Sequence, residues 1–290
     1  MIRKLCIIGV GLIGGSAARR ARRFCEEIVG IDADPENLRR AETLGVIDQG
    51  CASLERGVAA ADFVLIATPV GAIEPLFRAL APLWRPDCIY TDVGSTKGNV
   101  VEAALRVFGI VPPNFIPGHP IAGAERSGVE AADARLFEGK RVILTPLPES
   151  APDALARVEA FWMHLGARVE RMDVGHHDEV LAATSHLPHV LAFTLARMLG
   201  RKDEQAEIFR YAAGGFRDFT RIASSDPKMW LDICRANRGP LLELLGEYET
   251  ALREVAGLVR SDDADGLYAC FSEARAAREK FLKSTENNHA

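Results

Sequence analysis

Leu5-Cys6-Ile7-Ile8-Gly9-Val10-Gly11-Leu12-Ile13-Gly14-Gly15-Ser16 decides the fold class. Its first four residues are continuously apolar, which suits a short strand covered on both faces of a parallel sheet. A G-x-G-x-x-G pattern follows at once, and Gly15-Ser16-Ala17-Ala18-Arg19-Arg20-Ala21 reads as a helix. Glycines in this pattern are weak on their own; a strand before and a helix after are what their mechanism requires. Gly9 allows the tight turn, Gly11 lets backbone approach a pyrophosphate, and Gly14 lets helix and strand pack closely. The helix N-terminus then offers unpaired N–H groups and a positive dipole end to phosphates. The expectation is a dinucleotide cradle made by Gly9, Gly11, Leu12, Ile13 and Gly14.

A second apolar run, Ile28-Val29-Gly30-Ile31, ends at Asp32. That lies close to the offset of roughly 20 residues at which an acid binds the adenosine ribose hydroxyls. A carboxylate there repels a 2′-phosphate and favours NAD over NADP, although Arg39 and Arg40 keep NADP open. Asp32 also reads as a helix-start residue, a role that Asp34-Pro35 fills better. Alternation then continues. A helix over 38–44 closes against Gly45, and a strand over 62–67 ends at Thr68-Pro69. A helix over 70–80 leads to a strand over 88–93, which opens onto Gly94-Ser95-Thr96-Lys97. Later strands over 141–145 and 167–171 flank a helix over 152–165. The pattern predicts an α/β domain, a Rossmann-type doubly wound, mostly parallel sheet, over residues 1–172. Ligands bind such sheets at the carboxyl ends of the strands, so Thr68, Pro69, Ser95 and His119 are expected to share one crevice. Ser95 also reads as a helix N-cap.

His119 stands in Gly118-His119-Pro120-Ile121-Ala122-Gly123. Glycine and proline there specify backbone shape, and a rigid loop presenting one imidazole suits a general base. A surface turn with an idle histidine is the competing reading.

Beyond about residue 173 the strand pattern stops, and helices are expected over 178–199, 205–223, 227–259 and 263–282. The first is apolar on nearly every side but is interrupted by Ser185, His186, Pro188 and His189. Ser185 and His189 share a face, and Pro188 should kink the helix. These polar groups are either core residues satisfied by backbone or the lining of a site. His186 and His189 have no clear carboxylate or cysteine partners for a metal, and none is expected. In Gly214-Gly215-Phe216-Arg217-Asp218-Phe219-Thr220-Arg221 the two arginines share a face and offer planar forks suited to a carboxylate. Pairing of Asp218 with Arg221 is the structural alternative. Trp230 is core or the wall of an aromatic-sized pocket.

The whole chain excludes several classes. At 290 residues with a net charge of −5 it lacks the basic surplus of a nucleic-acid binder. Six cysteines without CxxC spacing suit reduced thiols. No apolar run approaches the roughly 20 residues that span a bilayer, and the N-terminus goes directly into a strand. A cytoplasmic protein without membrane or nucleic-acid partners is expected.

Taken together, GVGLIGGS (9–16), DVGSTK (92–97), GHPIAG (118–123), SHLPH (185–189) and GGFRDFTRIASSDPKMW (214–230) closely resemble the prephenate/arogenate dehydrogenase family of tyrosine biosynthesis. The resemblance runs from the glycine loop to about residue 282. It implies NAD-dependent oxidative decarboxylation of a cyclohexadienol, prephenate or arogenate, by a Rossmann domain followed by a helical substrate and dimerisation domain over 173–290, assembled as a homodimer. His119 matches the family's catalytic histidine, which accepts the ring-hydroxyl proton, and Ser95 matches a serine that helps orient it. Arg221 matches the arginine that binds the carboxylate to be lost. Ser185, His186, His189 and Trp230 match residues lining the substrate or cofactor cleft. Many relatives carry Ser or Thr where Ala124 stands, which bears on substrate choice. No added mutase or regulatory segment is read in the chain, so any tyrosine feedback is expected at the active site. A β-hydroxyacid or imine-type reductase shares the architecture, but its catalytic lysine or asparagine pattern is not supplied here. A non-enzymatic NAD sensor would need the cradle without His119 and Arg221.

Overall fold

The computed structural model describes residues 1–123 and 128–287; Ala124 lies outside the described residues. The chain packs as two units, Met1–Pro240 and Leu241–Ala290.

In the first unit, β1 (Ile2–Ile8), β2 (Cys25–Ile31), β3 (Gln49–Gly50), β4 (Phe63–Ile66), β5 (Ile89–Asp92) and β6 (Phe115–Ile116) form one sheet in the order β3-β2-β1-β4-β5-β6. Every pairing is parallel. This is the doubly wound order expected, with its switch point between β1 and β4. The alternation of side chains explains why the strands read as unbroken apolar runs. Leu5, Ile7, Ile28, Phe63 and Leu65 face one core with Val158, Phe161 and Trp162 of α6 (Pro152–His164). Cys6, Ile8, Val29, Val64 and Ile66 face the other, with Phe77 of α4 (Ile73–Leu80) and Val100 of α5 (Gly98–Phe108). Both faces are covered along these runs, so they are apolar on both sides, while Arg3, Lys4, Glu26 and Glu27 stand toward the strand starts. The remaining crossover helices are α1 (Leu12–Ala21), α2 (Pro35–Thr43) and α3 (Leu54–Val58). Asp34 caps α2, accepting from Glu36 N at 2.9 Å, with Pro35 in the first turn as the sequence suggests.

Two expectations change here. The 118–123 stretch is not a free loop: β7 (Gly118–Pro120) pairs antiparallel with β8 (Arg141–Leu144), setting His119 opposite Ile143. The strands read over 141–145 and 167–171 join that second sheet, β8 pairing parallel with β9 (Arg168–Arg171), rather than extending the first. Pro117 alone separates β6 from β7, so the chain passes from one sheet edge straight into the other.

Three expected helices are broken, each for a local reason. Over 178–199, α7 (Val174–Leu181) gives way to a π-helical segment, Ala182–His186, before α8 (Leu187–Gly200). The wide turn accommodates Pro188, which has no N–H to donate back, and π segments of this kind cluster at functional sites. Over 205–223, the Gly214-Gly215 pair separates α9 (Gln205–Arg210) from α10 (Gly214–Thr220), and a 3₁₀ turn holds Arg221–Ser224. Over 227–259, α11 (Pro227–Ala236) stops at Asn237, and α12 (Arg238–Arg260) starts with Pro240 in its first turn. Proline is tolerated there because that N–H has no helical partner anyway. The second unit takes most of α12 together with α13 (Ala264–Asn287). Its helices expose Leu242, Leu252, Tyr268 and Phe271. No helix among the described residues is long and apolar enough to cross a membrane.

Candidate active site

The glycine loop lies at the carboxyl end of β1. Gly9 has φ +96°, and a Cβ there would sit 2.5 Å from Ala67 O; a Cβ on Gly14 would sit 2.1 Å from Gly9 O. Both glycines are therefore imposed by turn shape and helix–strand contact. Gly11 is different, with nothing among the described residues within 4 Å of its would-be Cβ. That open side, next to an α1 N-terminus without a side-chain cap, is the space a pyrophosphate would fill. Leu12 and Ile13 form the first turn of α1. Asp32 is fixed at the end of β2: Oδ2 accepts from Val10 N and Asn37 Nδ2, each at 2.9 Å, and Oδ1 accepts from Asp34 N at 3.0 Å. A carboxylate has about four acceptor sites, so Oδ1 retains room for a ribose hydroxyl. Beyond β4, Thr68 Oγ1 is buried without a hydrogen-bond partner among the described residues, and Pro69 precedes the 3₁₀ turn Val70–Ala72. An orphaned buried hydroxyl in this crevice and an open glycine side both fit a dinucleotide.

His119 is the centre of a buried polar network built from four segments. Its Nδ1 lies 2.9 Å from His177 Nε2, and His177 Nδ1 lies 2.8 Å from Asp178 Oδ1. Asp178 in turn caps α5 from 80 residues away, accepting from Lys97 N at Oδ1 and Gly98 N at Oδ2, each at 2.8 Å. A Cβ at Gly98 would lie 2.9 Å from Oδ2, so only glycine lets the carboxylate in. The α5 cap thus comes from Asp178 rather than from Ser95, which sits half-buried on the loop before it. Among the described residues no hydrogen bond joins Ser95 to His119; His177 holds the ring instead.

The strand carrying His119 is clamped from behind. Lys97 and Asp92, both fully buried, form an ion pair through Nζ and Oδ2. Lys97 Nζ also donates to Gly118 O at 2.7 Å, while Gly118 N donates to Asp92 Oδ1 at 3.1 Å. One ion pair therefore holds both backbone groups of the residue next to His119.

On the helical side, Asn237 Nδ2 donates to Asp178 O at 2.7 Å and to His186 Nδ1 at 3.0 Å. His186 must therefore carry its proton on Nε2. His189 Nδ1 donates to Ser185 O at 2.9 Å, and its ring stacks on Trp230 at 3.7 Å. Trp230 is buried with Val70 and Ile233, which brings α11 onto the turn that follows Thr68 and Pro69. Its Nε1 has no hydrogen-bond partner among the described residues. Arg221 lies close enough to His189 to push that imidazole's pKa down, behind the larger effect of burial. Arg217 is exposed and makes no ion pair among the described residues.

Burial disfavours the charged form of His119, His186 and His189. Burial, then the neighbouring His177, Lys97 and His186, hold His119 well below the ordinary histidine range. Burial pushes His186 down to about 4, against an upward pull from Asp178. Burial would raise the Asp178 carboxyl, but the bonds from His177, Lys97 N and Gly98 N outweigh it and hold it low. Burial thus favours the neutral form of His119 and His186, and among the described residues His119 Nε2 makes no hydrogen bond.

His186 neighbours His119, Trp230 lies against both His186 and His189, Arg221 lies near His189, and Trp230 packs on Val70 in the turn after Thr68 and Pro69. His177, Asp178, Asn237, Asp92 and Lys97 were not singled out for roles. Asp92 and Lys97 stand in a quoted motif, DVGSTK, and were its legible signal. Adjacent helix residues do not face each other, so spacing gave no reason to pair His177 with Asp178.

Residues 17–171 match the family described as prephenate dehydrogenase, nucleotide-binding domain, and residues 173–273 match prephenate dehydrogenase, dimerization domain. The chain is 38% identical over 284 residues to a cyclohexadienyl dehydrogenase of Zymomonas mobilis, covering 96% of each sequence. It is 36% identical over 281 residues to a prephenate dehydrogenase of Bacillus subtilis, covering 95% of this chain and 75% of that one. Among solved structures, a prephenate dehydrogenase of Aquifex aeolicus in complex with hydroxyphenyl propionate and NAD+ superposes with a TM-score of 0.89 at 36% identity, covering 97% of this chain and 99% of that one.

Proposed function

The chain belongs to the prephenate dehydrogenase family, and from that premise we propose that it catalyses NAD-dependent oxidative decarboxylation of prephenate, arogenate or both in tyrosine biosynthesis. The observation that carries this reading is His119: a buried, neutral imidazole with Nδ1 occupied and, among the described residues, no hydrogen bond at Nε2. A base of that kind accepts a ring-hydroxyl proton without first having to lose one to solvent.

The cradle fits NAD better than NADP. Asp32 places a carboxylate where a 2′-phosphate would sit. Arg39 pairs with Glu36, and Arg40 pairs with Glu130 at 2.7 Å and Asp34 at 3.7 Å, so both cations are already committed. Bound NAD supplies a hydride acceptor at the substrate ring carbon that carries the hydroxyl. His119 Nε2 removes the hydroxyl proton, which pushes electron density toward that carbon. Arg221 orients the carboxylate that leaves as carbon dioxide, and Ser95 helps orient the hydroxyl. His189, stacked on Trp230, and His186, tied to Asn237, wall the ring's site and exclude water, with Ser185 fixing the His189 tautomer. Loss of carbon dioxide makes the ring aromatic, so positioning and one base suffice.

The boundary between the nucleotide domain (1–172) and the helical domain (173–290) is supported by Asp173, which caps α7 by accepting from Gly175 N at 2.8 Å. The helical domain is assigned to a homodimer, supported by its exposed Leu252, Tyr268 and Phe271. A cytoplasmic site of action and tyrosine binding at the same pocket belong to this reading. Ala124, adjoining the 118–123 stretch, is assigned to the choice between the keto acid and the amino acid side chain.

Addition of prephenate or arogenate with NAD should produce NADH absorbance, with NADP markedly poorer. Silence with both substrates overturns the reading. For Arg221→Ala, loss of a charge-assisted carboxylate contact should raise KM by roughly 10- to 100-fold. Initial-rate kinetics beside Arg217→Ala, expected to be near normal, check this; an unchanged KM in Arg221→Ala moves the carboxylate contact to another cation.

A further inference from the structure

We infer that His177 and Asp178 act behind His119 as positioning residues, fixing its tautomer and sharing the proton it accepts. The inference rests on the assignment of His119 as base. A carboxylate has no proton to donate, so Asp178 Oδ1 requires the proton of His177 on Nδ1. His177 Nε2 is then a bare acceptor, and the 2.9 Å contact forces His119 to carry its own proton on Nδ1. That leaves His119 Nε2 unprotonated, the only form in which it can take a proton from a hydroxyl. Asp178 is itself immobilised by Lys97 N and Gly98 N, so the tautomer is set by the start of α5.

The same contacts give the accepted proton somewhere to go. When the hydroxyl proton reaches Nε2, the Nδ1 proton of His119 can pass to His177 Nε2. The positive charge then rests on His177, hydrogen-bonded to the Asp178 carboxylate. Nothing is lost to solvent: the ring oxygen that gives up its proton regains one as the phenol forms, and the two transfers reverse. His177 is fully buried and His119 nearly so. A closed pair of imidazoles suits a proton that is held and returned rather than exported. The groups facing His119 are His177, from α7, Lys97, paired to Asp92 at the end of β5, and His186, from the π segment. Of these only the His177–Asp178 pair combines a bare nitrogen with a carboxylate behind it.

The test compares His177→Phe and His177→Gln in the full-length enzyme with prephenate, arogenate and NAD. His177→Phe is expected to lower kcat by about 10²-fold or more while NAD affinity stays within about threefold. His177→Gln keeps an amide oxygen to accept from His119 Nδ1 and should recover part of that loss. Nitrogen-15 NMR of wild-type His119 is expected to show Nδ1 protonated and Nε2 bare, and this preference should disappear in His177→Phe and return in His177→Gln. A purely structural role for His177 would not move that signature. A wild-type His119 protonated on Nε2 overturns the inference even where His177→Phe fails to fold. Near-normal kcat in His177→Phe, with His119→Asn inactive, also overturns it but leaves the base intact. Normal turnover in His119→Asn removes the base itself.

Discussion

His119→Asn is expected to bind NAD normally and to lose about 10²- to 10⁴-fold in kcat, the contribution of a positioned general base. The amide overlays the Nδ1 side of the ring, so its oxygen or nitrogen can still meet His177, and β7 should stay paired with β8 through its backbone. What disappears is a group able to take a proton at the Nε2 position. NAD titration and steady-state kinetics on the same preparation separate the two effects. The pH profile of the wild type adds a second check. Burial, reinforced by His177, Lys97 and His186, lowers the pKa of His119, so the ring is already neutral at pH 7. The acid limb of kcat/KM, which reports the free enzyme, should therefore lie below the ordinary histidine pKa of about 6.5. An acid limb at or above that value would mean that His119 is charged at rest and that the desolvation argument fails.

Much of the nucleotide domain was legible because its signals are local. Gly9 is required by its own positive φ and Gly14 by contacts within the first strand–turn–helix unit, and the apolar runs follow from a sheet covered on both faces; the approach of Ala67 O to Gly9 is the part that only the folded chain shows. The helical domain was legible as helix but not as to where each helix stops. Its breaks at Ala182–His186, Gly214-Gly215 and Asn237 follow from proline and glycine and from the tertiary role of Asn237, whose amide is spent on Asp178 O and His186 Nδ1. A polar residue used that way looks, in sequence, like any other helix position. The site shows the same division. His119, Arg221 and Trp230 stand in motifs that can be quoted. The residues that aim His119 do not advertise themselves: Asp178 reaches the start of α5 across 80 residues, and only the folded chain shows that it caps a helix and orients a histidine at once.

Lys97→Met should destabilise the enzyme by about 3–5 kcal/mol, the cost of removing one partner from a buried ion pair and stranding the other. Lys97 and Asp92 have no exposed surface, so solvent screening offers no relief. Against a total stability of about 5–15 kcal/mol this is a large fraction, and the denaturant midpoint should fall accordingly. The stranded group is Asp92, which keeps Gly94 N and Gly118 N as donors but loses its only cation among the described residues. Adding Asp92→Asn to Lys97→Met removes the stranded charge, so the double variant should be more stable than Lys97→Met alone. Activity should not follow stability back. Gly118 O loses the Lys97 Nζ bond in both variants, and the backbone beside His119 is then held by fewer contacts. A double variant restored in stability but still slow would separate the two roles of the pair, neutralising a buried carboxylate and aiming the base. If Lys97→Met shifted the midpoint by less than about 1 kcal/mol, the pair would not be what fixes β7.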